Sequence, residues 1–320
     1  MKICLVKTSS MGDVIHTLPA LTDAQCAIPN LQVDWVVEEN FAEIPRWHTA
    51  VNQVIPIALR RWKKSPFSAQ TKNEWKNYRA LLQRAHYDAV IDAQGLIKSA
   101  FFAARLARGI KHGYDWYSIR EPLASLFYDK KYAVSYQQHA VERIRQLFAQ
   151  SLGYSLPRSQ GDYAIAAHFS SEPDTTPYAL FIHGTTREDK CWPESEWQKL
   201  IEKMRAVPLQ IRLPWGNDKE KARAERLARG REYVRVLPRV SLTELASQIA
   251  ASNAVLSVDT GLAHLTAALS KPNITLYGAT DPRLVGTYGK HQWHLNASNM
   301  AEISAEQVFA KIEALRESLF

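Results

Sequence analysis

The sequence predicts an α/β protein of two domains, each a parallel sheet wound by helices. Short apolar runs alternate with amphipathic helical segments almost from end to end, as strands and helices do in such sheets. The 320 residues exceed the usual size of one hydrophobic core. A segment rich in Pro, Ser, Gly and Asp, residues 155–177, interrupts this pattern. We therefore place the domain boundary near residue 160, with domains 1–160 and 161–320.

The elements follow from the spacing of apolar residues in each half. Strands are predicted where short apolar runs occur, and helices where apolar residues recur at helical spacing. In the first half the strands are 2–7, 33–38, 51–57 and 87–93, and the helices are 14–28, 70–86, 96–108 and 139–152. In the second half the strands are 178–183, 208–214, 233–238, 254–259 and 273–278, and the helices are 193–206, 218–229, 241–252 and 304–320. The last helix is expected either to stay in the second domain or to pack back on the first.

The composition is that of a globular protein, with 46% hydrophobic and 22% charged residues. No run approaches the roughly 18 apolar residues of a membrane-spanning helix, and the N-terminus lacks the apolar core of a signal peptide. A cytoplasmic location is expected. Cys4, Cys26 and Cys191 are odd in number and widely spaced, so neither a disulfide framework nor a zinc site is indicated.

The net charge of +8 is unevenly distributed. Residues 1–155 contain 20 Lys and Arg against 13 Asp and Glu, whereas residues 156–320 contain 20 against 19. The excess predicts an anionic partner for the first half: nucleic acid, an acidic membrane surface or a phosphorylated substrate.

The segment KTSSMGDVIHTLP, residues 7–19, follows the first strand and leads into a helix. Its small residues let the backbone come close to a ligand. Asp13 has two interpretations, which the spacing leaves open. It caps a helix that starts at Val14, or it is a general base that takes a proton from a hydroxyl nucleophile.

The segment HGTTREDKCWP, residues 183–193, also follows a predicted strand. Thr185 and Thr186 offer hydroxyl and amide donors to a phosphate, and Lys190 could neutralise a departing diphosphate. The alternative is an ordinary polar loop with Lys190 solvated.

The most specific signal is SVDTGLAHLTAALSKPNITLYGATDP, residues 257–282. A strand ends at Asp259, and Thr260 and Gly261 form a turn into a helix whose free amides make an anion site. His264 lies one turn into that helix and either reaches the same phosphate or is a hydrogen-bonded core residue. Asp259 is expected to orient backbone donors or to bind a sugar hydroxyl.

A basic stretch, LRRWKKSPF, surrounds Trp62 at residues 59–67. Charge runs are usually solvated surface, but the interleaved Trp residues favour an anionic, partly apolar target such as phospholipid. Nucleic acid is the alternative, although no zinc-finger spacing, RNA-binding aromatic motif or helix-turn-helix occurs. The chain also lacks GxxxxGK[ST], GxGxxG, HExxH, GxSxG and a DxD metal pair. A leaving diphosphate would therefore be met by Lys190, amides and a helix terminus, not by a metal.

These motifs resemble those of the lipopolysaccharide heptosyltransferases, glycosyltransferase family nine. The resemblance includes KTSSMGDVIHTLPALTDAQ, DAQGLIKSA, REPLASLFYDKKY, QQHAVERIRQLF, HGTTREDKCWP, IRLPWG and SVDTGLAHLTAAL, and covers most of residues 1–290. It implies a GT-B architecture, two Rossmann-like domains facing across a cleft. The first would bind the acceptor and the second the nucleotide sugar.

The resemblance also implies residue roles. The catalytic pair would be Asp13 as base and Lys190 as diphosphate partner. The donor-binding set would be Thr185, Thr186, Lys190, Glu220, Asp259, Thr260, Gly261, Leu262 and His264. The acceptor-binding set would be Lys7, Ser10, Gly12, Arg60, Arg61, Lys64 and Arg120.

The implied reaction moves heptose from ADP-L-glycero-D-manno-heptose to a Kdo residue of Kdo-lipid A, with inversion and without metal or cofactor. The expected partners are the nucleotide sugar, a phosphorylated glycolipid and an anionic membrane surface, the cytoplasmic face of the inner membrane, with no nucleic acid. Two alternatives remain: an enzyme that adds a later heptose, and a non-catalytic two-lobed protein that binds a sugar phosphate.

Overall fold

The computed structural model describes residues 1–169 and 176–319 and divides into two compact units, Met1–Ala164 and Ile165–Phe320. Residues 170–175 of the segment predicted to connect the domains lie outside the described residues. Both units are parallel α/β structures, so the predicted fold class is confirmed.

The first unit contains one parallel sheet. Its strands are β1 (Lys2–Val6), β2 (Gln32–Glu38), β3 (Val51–Ile57), β4 (Ala89–Asp92), β5 (Lys111–Tyr114) and β6 (Lys130–Tyr132). They lie in the order β3-β2-β1-β4-β5-β6, and β1 at the centre is fully buried from Ile3 to Val6. Strands buried on both faces are nearly continuous apolar runs, which explains why β1 and β4 are recognisable in the sequence.

Helices connect these strands. They are α1 (Met11–Ile15), α2 (Leu18–Ala27), α3 (Glu43–Arg46), α4 (Leu59–Trp62), α5 (Ala69–Leu82), α6 (Ile97–Phe102) and α7 (Ala140–Leu152). A 3₁₀ helix, Pro122–Phe127, precedes β6. The single helix predicted for residues 14–28 is wrong, because the chain forms two helices separated at His16 and Thr17.

The second unit repeats the topology of the first. Its strands are β7 (Tyr178–Ile182), β8 (Gln210–Leu213), β9 (Val234–Val236), β10 (Ala254–Val258), β11 (Asn273–Tyr277) and β12 (Gln292–Asn296). The order is β12-β11-β10-β7-β8-β9, again with every neighbouring pair parallel. In both units the first strand of the chain lies beside the fourth, which is the Rossmann arrangement.

The second unit's helices are α8 (Glu194–Lys203), α9 (Asp218–Ala228), α10 (Leu242–Ala251), α11 (Gly261–Ala268), α12 (Pro282–Val285), α13 (Ala305–Ala314) and α14 (Arg316–Leu319). Helix α13 packs against α8, and the backbone N–H of Ala305 donates to Glu196 Oε2 at 2.7 Å. Of the two placements considered for the C-terminal helix, α13 takes the one within the second unit.

The sequence did not predict β5, β6 or β12. Strands β6 and β12 are sheet edges whose side chains are half-exposed or exposed, so no apolar run marks them. Strand β5 reads KHGY, which contains a Gly, and its neighbour Tyr128 covers the side that a Cβ at Gly113 would occupy.

A buried ion pair joins α2 to α7. Arg145 donates to Asp23 at 2.6 Å and to Glu142 at 3.0 Å, and both carbonyls of Pro157 and Ser159 accept from the same guanidinium. Arg145 is almost completely buried. The contacts therefore fix the end of the first unit, residues 157–159, to its helical layer.

Replacing Arg145 by Ala should lower the free energy of unfolding by about 3 kcal/mol or more, because Asp23 would keep a buried charge without its partner. Chemical denaturation followed by circular dichroism measures the change. The control Arg84→Ala removes an exposed guanidinium and should cost about 0.5 kcal/mol or less. Equal losses in the two variants would show that the buried pair does not stabilise the unit.

Candidate active site

The candidate site of the first unit lies where the connections of β1 and β4 leave the sheet. These neighbouring strands meet at the point where the strand order reverses. In open α/β sheets the ligand crevice forms at this point, at the carboxyl ends of the strands. The segment from Lys7 to Asp13 follows β1, and Ala93 to Leu96 follow β4.

Asp13 lies in the first turn of α1, which begins at Met11. Its Oδ2 accepts from the Ser10 backbone N–H at 2.8 Å and from the Ser10 hydroxyl at 2.9 Å. The prediction that the helix starts at Val14 is wrong by three residues, and Asp13 is a first-turn residue instead of the residue before the helix. The carboxylate stabilises the helix start, as the first interpretation expected, and its side chain remains 40% exposed.

Lys7 lies behind Asp13. Its ammonium donates to the carbonyl of Ala93 at 3.0 Å and lies 3.8 Å from Asp13 Oδ1. Burial lowers the pKa of Lys7, whereas Asp13 and Asp92 raise it. Because the side chain is only 7% exposed, the structure does not support direct contact between Lys7 and an acceptor. Its placement suits a residue that holds the Asp13 carboxylate.

Gln94 fixes the backbone that leads to Asp13. Its Oε1 accepts from the backbone N–H groups of Thr8 at 2.9 Å and Ser9 at 3.0 Å, and Gln94 itself is buried. One side-chain oxygen therefore satisfies two amides that leave the sheet after β1.

The buried carboxylate of Asp92 fixes the backbone at Gln94. Its carboxylate accepts from the Gln94 backbone N–H at 2.9 Å, from Ser99 at 2.9 Å and from the Tyr128 hydroxyl at 2.8 Å. Burial raises the pKa of Asp92, and the hydrogen bonds from Tyr128 and Ser99 lower it. No role was predicted for Gln94 or Asp92, although Asp92 ends β4 and Gln94 follows it in the DAQG segment. Two polar residues at that strand end were the available signal.

The other predicted acceptor residues lie on both sides of this loop. Arg60 and Lys64, which follow β3, are exposed, and so is Arg120, which follows β5. Gly12 is buried in α1, whereas Ser10 is exposed. Arg61 makes paired hydrogen bonds with Glu39 and Glu74 at 2.8–3.0 Å, so two carboxylates already balance its charge.

The interpretation of the interleaved Trp residues is wrong for Trp62. Its ring packs edge-on against Trp75 and Tyr78, at 5.8 and 5.9 Å between centroids, and its Nε1 donates to Glu74 at 2.6 Å. Trp62 is 7% exposed. The indole therefore belongs to the layer between α4 and α5 and is not presented to an apolar partner.

The candidate site of the second unit lies at the corresponding reversal point, between β7 and β10. Lys190 Nζ lies 2.6 Å from Asp259 Oδ2, and the Thr185 hydroxyl donates to the carbonyl of Asp259 at 3.2 Å. Asp259 is buried and Lys190 is 22% exposed. The alternative that Lys190 is simply solvated is therefore wrong. Three predicted donor residues meet here.

Glu220, in the first turn of α9, lies beside the loop that follows β7. Its carboxylate accepts from the Gly216 backbone N–H at 2.7 Å, and a Cβ at Gly184 would lie 2.5 Å from the carboxyl carbon. A glycine at residue 184 thus allows the loop after β7 to pass directly over Glu220. The α9 helix also fixes that loop through Arg223, which donates to the carbonyl of His183 at 3.0 Å.

Helix α11 begins at Gly261, after Thr260, as predicted. Gly261 and Leu262 are half-exposed in its first turn, whereas His264 is buried. Thr186 is exposed in the loop after β7. Within each unit, the predicted residues therefore lie near the carboxyl ends of the strands.

Residues 1–169 and 176–319 lack both a cluster of metal ligands and a helix that could span a membrane. No group of three or more His, Cys, Asp or Glu side chains there could hold a metal ion. Within the same ranges, each helix is too short or too polar to cross a bilayer.

Comparison with known proteins gives consistent matches. Residues 75–313 match the family model described as glycosyltransferase family 9 (heptosyltransferase). Lipopolysaccharide heptosyltransferase 1 of Salmonella typhimurium is 59% identical, with 98% of this chain and 100% of that protein covered. The structure of the E. coli heptosyltransferase WaaC with ADP has a TM-score of 0.96 at 57% identity, covering 98% of this chain and 99% of that one. The same enzyme with ADP-2-deoxy-2-fluoro heptose gives 0.93 at 57% identity, with the same coverage.

The two Rossmann-like units, together with the structural match over nearly the whole chain, define a glycosyltransferase of the GT-B class. The chain belongs to glycosyltransferase family 9, the heptosyltransferases. The predicted family and enzyme class are confirmed. The alternative of a non-catalytic binding protein has no support in these matches.

Replacing Gln94 by Leu should loosen the loop that carries Asp13. The change keeps the size of the side chain but leaves the amides of Thr8 and Ser9 without their acceptor, which should lower the free energy of unfolding by about 2 kcal/mol. Hydrogen exchange of residues 7–15, measured by mass spectrometry, should become faster. Gln83→Leu, which removes a contact with the carbonyl of Leu106, is the control and should leave exchange in this loop unchanged. Unchanged exchange in Q94L would show that Gln94 does not position the loop.

Proposed function

We propose that the chain transfers heptose from ADP-L-glycero-D-manno-heptose to a Kdo residue of Kdo-lipid A, with inversion at the anomeric carbon. One observation carries this proposal for a family 9 heptosyltransferase. An exposed carboxylate lies near the carboxyl ends of β1 and β4, and a lysine lies near the carboxyl ends of β7 and β10. The full-length similarity to relatives named heptosyltransferase 1 favours the first heptose over a later one.

We assign the acceptor to the first unit and the nucleotide sugar to the second. The division is supported by the charge excess of the first unit and by the solved relatives, which contain ADP or an ADP-heptose analogue. Glu220 would contact the nucleoside. Thr185, Thr186 and the α11 start from Thr260 to Leu262 would bind the diphosphate, with His264 behind them. A helix start supplies backbone N–H donors and a partial positive charge to such an anion.

Asp13 is assigned as the base. It takes the proton from the attacking Kdo hydroxyl as the new bond forms between that oxygen and the anomeric carbon. The ammonium of Lys7 behind it favours the ionised carboxylate, which is the form that accepts a proton. Ser10 holds the carboxylate in place through two hydrogen bonds.

Lys190 is assigned to the leaving group. When the bond between the anomeric carbon and the phosphate oxygen breaks, its electron pair stays on ADP, and the ammonium stabilises the new charge. Lys190 is paired with Asp259 at 2.6 Å, so the diphosphate would replace or share that carboxylate. Asp259 would then bind a hydroxyl of the sugar or orient backbone donors, and no step requires a metal or other cofactor.

The acceptor's anionic groups would be bound by Arg60, Lys64 and Arg120, with Gly12 and Ser10 beside the reacting hydroxyl. Arg61 would have to exchange Glu39 and Glu74 for an acceptor phosphate. Because the acceptor carries acyl chains, we further propose that the chain works at the anionic surface of the inner membrane's cytoplasmic face. Nucleic acid is not a proposed partner.

Asp13→Ala should lower turnover by about 10²- to 10⁴-fold, the usual contribution of a general base, while ADP-heptose still binds. Asp13→Asn is the sharper variant, since an amide can still accept from Ser10 but cannot take the proton. Steady-state release of ADP gives turnover, and calorimetry gives donor affinity. Turnover near that of the parent in Asp13→Asn would remove Asp13 from the mechanism.

Lys190→Ala should lower turnover by about 10²- to 10³-fold, by analogy with other preorganised charge stabilisers. Lys219→Ala serves as the control, because Lys219 forms an exposed ion pair with Glu188 in the same unit and its loss should change turnover by about twofold or less. The same assay of ADP release applies. A loss below about tenfold in the Lys190 variant would show that this lysine is peripheral.

A further inference from the structure

Apolar side chains are exposed on two short neighbouring helices of the first unit. In α6, Ile97 and Phe101 are 41% and 38% exposed, and in the 3₁₀ helix Leu123 and Leu126 are 54% and 66% exposed. Residues four apart in an α-helix share a face, as do residues three apart in a 3₁₀ helix. Each helix therefore carries an apolar stripe that faces solvent, opposite the side that it buries.

The two stripes form one surface. Helix α6 packs against the 3₁₀ helix, the Phe101 and Phe127 rings lie 6.1 Å apart, and the Ile97 backbone N–H donates to Glu121 at 2.7 Å. The loop before the 3₁₀ helix also exposes Trp116 and Tyr117, by 45% and 91%. We call this set the docking surface: Ile97, Phe101, Trp116, Tyr117, Leu123 and Leu126.

The segment that carries the docking surface is basic. Residues 97–131 contain seven Lys and Arg against three Asp and Glu. Each acidic side chain accepts a backbone N–H: Asp115 that of Ser118, Glu121 that of Ile97 and Asp129 that of Lys111. The guanidinium of Arg105 lies 4.0 Å from the centre of the Phe101 ring, so a cation sits directly on the apolar stripe.

Exposed aliphatic and aromatic side chains in a basic segment are the chemistry that binds an anionic lipid surface. We propose that the docking surface inserts into the anionic lipid surface that holds the acyl chains of the acceptor, an inference that rests on the proposed function. The location fits that role. Helix α6 starts directly after Gln94 and Leu96, at the sheet edge that carries the Asp13 loop. Trp62, one of the residues predicted earlier to meet lipid, is buried, so its indole does not supply the apolar contact.

The test compares the full chain with Leu123→Ser/Leu126→Ser by flotation with phosphatidylglycerol-rich vesicles and with phosphatidylcholine vesicles. The parent should bind the anionic vesicles, and salt should weaken this binding. The variant should bind the same vesicles at least about tenfold less. Because both leucines are exposed, thermal unfolding of the variant should match the parent. The control Val285→Ser, an exposed apolar residue of the second unit, should float like the parent.

Measurements of activity distinguish a failure of this inference from a failure of the proposed function on which it rests. On acceptor in anionic vesicles the leucine variant should lose at least about tenfold in kcat/KM, whereas on a deacylated, water-soluble acceptor it should match the parent. Parent inactivity on both acceptors would contradict the proposed function, and flotation would still decide the docking surface. Equal flotation of the variant and the parent would overturn the inference, and so would a parent dimer in gel filtration that the leucine variant loses.

Discussion

The reversal of strand order beside the first strand of each sheet is the constraint on which both candidate sites depend. The strand order reverses at β1 and β4, and again at β7 and β10. Right-handed connections therefore leave these neighbouring strands toward opposite faces of the sheet. The backbone groups that end these strands have no further strand to pair with. Side chains must satisfy them, and this requirement brings Gln94 to the amides of Thr8 and Ser9 and Thr185 to the carbonyl of Asp259. Polar residues collect at these two places because the topology leaves backbone groups there to be paired.

The two sites treat charge differently. In the first unit a buried lysine lies behind an exposed carboxylate at 3.8 Å, so the ammonium orients and stabilises the group in front of it. In the second unit the order is inverted: the carboxylate of Asp259 is buried and the lysine is the more exposed partner. A base must remain ionised and reachable, and a partner for an anion must present positive charge. In each pair, therefore, the more exposed partner is the one that its proposed role requires.

The sequence predicted the fold class and most central strands because a buried parallel strand is a short apolar run, as in β1 and β10. It failed at β6 and β12, whose side chains are half-exposed or exposed, and at the break between α1 and α2, where the apolar spacing runs on although Pro19 marks the start of α2. For the site, the residue types after β1, β7 and β10 could be identified, since a polar residue at a strand end is visible in one dimension. Gln94 is also a polar residue after a strand end, but its hydrogen-bond partners could not be predicted, because the contact joins segments 85 residues apart. Trp62 was misassigned for a related reason: interleaving with basic residues says nothing about which side chains the fold turns inward.

The outer strands of the two sheets also determine how the protein behaves at high concentration. An unpaired strand edge is a template for adding a strand from another molecule. Of the four edge strands, β3 contains Pro56, which cannot donate a hydrogen bond, β6 is three residues long and begins with two lysines, and β9 is three residues long with an arginine at its centre. The fourth, β12, carries none of these features. These features disfavour the addition of a strand from another molecule at β3, β6 and β9, which limits edge-to-edge aggregation at high protein concentration.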